Sequence, residues 1–86
     1  MIHHLKIKQE YFLAKLQGVK LFEILKNDSV YQIGDILILH ELNEQGIPTG
    51  RTINQSVNYL FENPDYLKEG YLILSGEIIC FQLSKL

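Results

Sequence analysis

Ile36-Leu37-Ile38-Leu39 is the segment that most limits what this chain can fold into. The run has strand length, is entered through Gly34-Asp35 and shows no polar alternation. That is the pattern of a strand buried on both faces. The chain has only 86 residues, and a domain of that size buries roughly 60% of its unfolded surface. A strand covered on both sides in so small a domain implies that the other strands curl around it. A closed sheet also removes exposed strand edges.

The rest of the chain supplies those strands. His3, Leu5 and Ile7 alternate with His4, Lys6 and Lys8, which predicts a half-buried strand. Gln9 to Gln17 places Phe12 and Leu16 four apart with Leu13 beside them, the apolar stripe of a short helix. Glu10 and Lys15 suit its dipole, and Gly18 stands where a left-handed C′ residue is wanted. Leu21 to Lys26 reads as a short strand, and Asn27-Asp28-Ser29 as a turn. Asn43 to Gly50 reads as the loop of a long hairpin. From Arg51 to Phe61 the period is two, with Ile53, Gln55, Val57, Tyr59 and Phe61 on one face. Asn63-Pro64-Asp65 breaks that strand, and Tyr71 to Leu74 and Glu77 to Leu83 give two more. The expectation is one α+β, mainly β domain over residues 1–86: a small closed β-barrel of five to six strands with one N-terminal α-helix. Tight turns between most strands favour antiparallel pairing.

Charge is unevenly spread. The total is −2, but residues 1–26 hold five Lys against two Glu, a local +3. The remaining residues hold three basic groups against eight acids, a local −5. An acidic total argues against a protein that coats DNA, whereas a basic first third allows a local contact with phosphate. A single cysteine, Cys80, excludes an internal disulfide and a thiolate zinc site. It lies in an apolar run and reads as a small buried hydrophobe. His3, His4 and His40 have no metal-ligand spacing, and His40 reads as capping the mouth of a core face. No metal or cofactor is expected. No apolar run reaches the roughly 18 residues of a membrane span, and Lys6, Lys8, Gln9 and Glu10 interrupt any signal-peptide core. The chain therefore reads as cytoplasmic with no membrane partner.

Gly18-x-Lys20-x-x-Glu23 followed by Lys26-Asn27-Asp28 is the densest polar cluster. If Lys20 lies in the turn after Gly18, its ammonium and the Glu23 carboxylate converge on one cleft. A Lys beside a Glu can hold an anionic or carbonyl group and shuttle a proton. A rim ion pair of little energetic weight has the same spacing. No Gly-rich phosphate loop and no Ser nucleophile elbow is present.

Taken in order, His3-His4-Leu5-Lys6-Ile7, Tyr11-Phe12, Gly-x-Lys-x-x-Glu at 18–23, Lys26-Asn27-Asp28, Gly34-Asp35, Thr49-Gly50-Arg51 and Leu67-Lys68-Glu69-Gly70-Tyr71 cover nearly the whole chain. This set resembles the short bacterial and phage ASCH (activating signal cointegrator homology) proteins of the PUA-like superfamily. The resemblance implies a PUA-like barrel with a cleft beside the first helix, roofed by the Gly-x-Lys turn, and RNA or a modified nucleotide as ligand. One ASCH branch hydrolyses N4-acetylcytidine with a Lys, a Thr nucleophile and a Glu. Lys20 matches that Lys, but the Thr position is Glu23, and the later Glu has only Glu62 and Glu77 as candidates. Relatives commonly carry Arg where this chain has Leu25 and Ser29, which leaves phosphate contact to Lys6, Lys8, Lys20 and Lys26.

The function expected is an RNA-binding or nucleotide-binding module, more a binder than an enzyme. Lys6, Lys8, Lys20, Glu23, Lys26, Asn27 and Asp28 form its site, with Lys20 and Glu23 as the catalytic candidates if there is chemistry. The carboxylate would accept from an exocyclic amine, as carboxylates do from cytosine. The alternatives are an amidohydrolase acting on a modified nucleoside and a protein-interaction module of a mobile element. The acidic remainder and thin core leave room for a homo-oligomer.

Overall fold

A computed structural model describes residues 1–83. The element order is β1 (Ile2–Lys8), α1 (Gln9–Leu16), β2 (Phe22–Lys26), β3 (Ile36–Leu42), β4 (Pro48–Ser56), β5 (Tyr59–Phe61), β6 (Tyr71–Ser75) and β7 (Ile78–Gln82). The described residues are mainly β with one helix, and among them the strands number seven where five to six were expected. They pair as two sheets, β1-β3-β4-β7 and β2-β6-β5.

Four of the five strand pairings are antiparallel, as the turns suggested. The exception is β1 beside β3, which is parallel from Ile2↔Ile36 to Lys8↔Leu42. Residues 9–35, with α1 and β2, supply the long crossover that a parallel pair needs.

The core lies between the sheets. Leu37, Leu39 and Ile53 come from the four-stranded sheet, Leu72 and Leu74 from the three-stranded sheet, and Phe12 from α1. Their burial supplies the main favourable term in folding. The apolar run at 36–39 is buried on one face only. Leu37 and Leu39 are inside, whereas Ile36 and Ile38 stay half-exposed on an uncovered outer face. A run without alternation does not distinguish an open sheet face from a covered one. His40 shares that outer face rather than capping the core, and Cys80 is exposed rather than buried.

The period-two segment from Arg51 to Phe61 breaks at Val57-Asn58. Asn58 N–H donates to the Ser75 carbonyl, so the chain leaves one sheet and joins the other. The phase flips there. Leu60, opposite Leu74, packs on the core, while Tyr59 is exposed. The β3–β4 loop is also shorter than expected, because Pro48, Thr49 and Gly50 already belong to β4.

Helix α1 ends with its left-handed residue at Gly18, φ +73°. Gly18 N–H donates to the Lys15 carbonyl and Val19 N–H to the Ala14 carbonyl, both at 3.0 Å. This paired closure satisfies the helix's terminal carbonyls and turns residues 19–22 back over the last turn. No helix of the described residues is long and apolar enough to cross a membrane.

Candidate functional site

That reversal builds a cleft. Lys20 lies in the turn, outside β2, so the strand rule separating residues three apart does not apply to it. Its Nζ is 2.5 Å from Glu23 Oε2 and donates to the Phe22 carbonyl at 2.9 Å. It also stands 4.9 Å over the Tyr11 ring and 4.8 Å over the Phe22 ring, within cation–π range. The cleft has a volume of about 370 Å³ and is lined by Tyr11, Lys20, Phe22, Glu23 and Ile24.

Beneath it lies a polar floor. Lys15, in the last turn of α1, is fully buried. Its Nζ is 3.2 Å from Glu23 Oε2 and donates to Gln55 Oε1 at 2.8 Å. The carbonyls of Lys20 and Phe22 accept from it at 3.3 and 3.4 Å. Gln55, also fully buried, donates through Nε2 to the Leu21 carbonyl at 3.0 Å. Burial pushes the Lys15 ammonium below the ordinary Lys value, and Glu23 opposes that shift. The network ties helix, turn, β2 and β4 together and fixes the carboxylate. Glu23 Oε2 takes both ammonium contacts. Among the described residues Oε1 accepts no hydrogen bond, and no buried side-chain oxygen is left unpaired, so Oε1 is open to the cleft.

The condition left open by the sequence, Lys20 in the turn after Gly18, is met, and its ammonium reaches Glu23; Lys15 and Gln55 were not anticipated. A signal was present for both. Lys15 follows Phe12 by three on the apolar stripe, and Gln55 holds a core-parity position between Ile53 and Val57. A polar group at an interior position needs a partner, and these two partner each other.

The other expected site residues lie elsewhere. Lys26 and Asp28 are exposed. Asn27 Nδ2 donates to Glu62 Oε2 at 2.6 Å beside a separate depression of about 240 Å³ that includes Lys68 and Tyr71. Lys6 and Lys8 are exposed on the outer face of β1. Glu62 and Glu77 do not line the Lys20 cleft.

Two buried carboxylates are held by other groups. Arg51 forks onto Glu41, with Nε donating to Oε1 at 2.8 Å and a terminal nitrogen to Oε2 at 2.5 Å; Thr49 Oγ1 adds 2.6 Å. Arg51 first, with help from Thr49 and Gln9, holds the Glu41 carboxyl down to about 2 despite burial, and Glu41 in turn raises the Arg51 guanidinium. Asp35 is likewise held at about 2, chiefly by the His3 ring 2.8 Å away, with the Met1 amino group and the Gln32 N–H also contributing. Among the described residues no group of three or more His, Cys, Asp or Glu side chains is placed to hold a metal ion.

Fold and cleft define a small, mainly β domain with one helix and a polar cleft at the helix end. Residues 2–76 match the family described as a domain of unknown function, DUF3850, and the chain belongs to that family. It is 38% identical over 80 residues to the uncharacterized 12.9 kDa protein in the GpA 3′ region of Escherichia phage P2. The alignment covers 91% of this chain and 72% of that relative.

Proposed function

We propose that this chain binds RNA or a nucleotide by seating one base in the Lys20–Glu23 cleft. The observation that carries the reading is Glu23: its Oε2 is held by two ammonium groups while Oε1 faces a cleft flanked by Tyr11 and Phe22. A carboxylate oxygen fixed in this way is an acceptor for an exocyclic amine, and the flanking rings offer flat apolar surface to the body of a base. Cytosine carries such an amine and uracil does not. The reading includes the ASCH resemblance, with the two sheets as the halves of a PUA-like barrel.

The same cleft favours binding over amide hydrolysis. Its lining contains no Ser, Thr or Cys, and the position of the hydrolytic branch's nucleophile is Glu23. Lys15 and Lys20 are both engaged with Glu23 and with main-chain carbonyls, so they act as positioning groups for the carboxylate.

Amide chemical shifts followed during titration with cytidine and uridine monophosphates test the proposal. Cytidine monophosphate is expected to shift Tyr11, Phe22 and Glu23, and the uridine analogue to leave them nearly unmoved. Glu23→Gln is expected to abolish that preference, because the two ammonium groups on the Oε2 side retain the amide carbonyl and leave its NH2, a donor, facing the cleft. Equal responses to both nucleotides, or none to either, would sink the reading. Incubation with N4-acetylcytidine is expected to yield no cytidine.

A further inference from the structure

We infer that the outer face of the β1-β3-β4-β7 sheet is a second surface, one that holds the phosphate backbone of a single-stranded nucleic acid. The register places its residues. His4 is opposite Ile38, which is opposite Asn54; Lys6 is opposite His40, which is opposite Thr52. Directly opposed residues share a face, and exposed or half-exposed positions along all three strands mark this one as uncovered.

Its charge is segregated. The four strands contain a single carboxylate, Glu41, and it points into the core, 1% exposed. The outer positions carry Lys6, Lys8, His4 and His40. A chain with net charge −2 therefore presents one sheet face whose strand positions bear only basic and neutral side chains, with Glu10 and Glu44 standing beside Lys8 at its edge. Such a face complements phosphate.

The two imidazoles sharpen the assignment. His4 Nδ1 and His40 Nε2 are 3.0 Å apart, and the rings stack at 5.2 Å between centroids with planes 29° apart. One ring nitrogen must accept for this hydrogen bond to exist, so the pair cannot hold two protons at the contact. Burial, then His4, then Lys6 press the His40 ring toward its neutral form. The groups facing the pair are Lys6 and the more distant Lys8 on β1, and the uncharged Thr52 and Asn54 on β4. A phosphate between the rings and Lys6 would accept from both, removing the conflict and drawing in a proton. The exposed imidazole also gives a base a flat surface to stack on, and Asn54 and Thr52 supply neutral donors. An acidic peptide could use the charge but not the stacking surface.

The inference rests on the nucleic-acid reading of the cleft only for the identity of the polyanion. Its test is fluorescence anisotropy with a labelled uridine dodecamer, a probe without the amine that Glu23 is proposed to bind. Wild type is expected to bind it with strong salt dependence. Lys6→Gln/Lys8→Gln is expected to weaken binding about tenfold and to flatten the log–log salt slope by about 1.4, two contacts at about 0.7 each for a single strand. Binding is expected to be several-fold tighter near pH 6 than near pH 7.5, a difference that His4→Gln/His40→Gln erases. Cytidine added as a competitor, which occupies only the Glu23 cleft, is expected to leave dodecamer binding unchanged, so a failed cytidine titration with an intact face, or the reverse, removes one reading and keeps the other. Failure of wild type to bind, an unchanged slope in the Lys6/Lys8 variant, or displacement of the RNA by polyglutamate of equal charge would overturn the inference.

Discussion

Lys15 Nζ and Glu23 Oε2 meet 3.2 Å apart with side-chain exposures of 0% and 7%, so this ion pair lies out of bulk water beneath the cleft. Removing one partner of a buried pair leaves the other without compensation. Lys15→Met keeps most of the stem volume but strands Gln55 Oε1 and the Lys20 carbonyl, while the Phe22 carbonyl keeps its Lys20 donor. Because Lys20 still reaches Glu23, the expected loss is about 3 kcal/mol, at the lower end for buried pairs. Urea unfolding measures it. A loss below about 1 kcal/mol would place the network in the range of surface ion pairs. In a cycle with Glu23→Gln the two losses should not add, since both variants break the same contact.

Glu41 gives stability a particular dependence on acid. Its carboxyl sits at about 2 in the folded protein against an ordinary 4.5, chiefly through the Arg51 fork. Asp35 sits at about 2 against 3.8. Both values are lowered on folding, so the unfolded chain binds protons that the native state refuses. Their stabilisation is whole above about 4.5 and drains away as pH falls toward about 2. Unfolding midpoints are expected to be level above that window and to decline through it. Arg51→Gln should lower stability at neutral pH and flatten the acid limb. An acid limb that survives unchanged in this variant would dissociate Glu41 from it.

The cleft was readable because Gly18-x-Lys20-x-x-Glu23 couples a helix stop to a turn, and a turn frees Lys20 from strand alternation. The helix, the first strand and the last two strands were readable for similar local reasons. Burial of 36–39 was not, because apolarity on a strand says nothing about whether a second layer covers it. Ile36 and Ile38 stay half-exposed since helix and second sheet pack on the opposite face. The parallel β1–β3 pair was hidden because pairing across 34 residues is set by the shared core and not by any turn. Lys15 was hidden because a Lys at a helix C-terminus already has a sufficient explanation in the dipole.

Cys80 lies opposite Asn54 on the outer face, past a bulge that offsets β7 against β4. Its thiol is exposed. An aromatic disulfide reagent is therefore expected to titrate one thiol in the native protein, at a rate close to that in urea. Reaction only after unfolding would show the thiol to be covered, as the apolar run around it had suggested. The reagent need not disturb the core, because Ile79 and Phe81 on either side of Cys80 are themselves exposed.

Gly76 packs directly against the Ser56 main chain. A Cβ there would lie 1.8 Å from the Ser56 carbonyl oxygen and 2.6 Å from its carbon. Neither atom can yield readily, because Ser56 N–H donates to the Glu77 carbonyl and Gly76 N–H to the Leu21 carbonyl. These bonds join the β6–β7 turn to β4 and to the segment leading into β2, so a shift would spread to both sheets. Gly76→Ala is expected to cost about 3 kcal/mol, the upper part of the overpacking range. Gly70→Ala is the control: its φ is +84° but a Cβ meets nothing within 4 Å, so only backbone strain of about 1 kcal/mol is expected. Thermal or urea unfolding of the two variants separates close approach from conformational strain, and equal losses would show that the Ser56 contact relaxes.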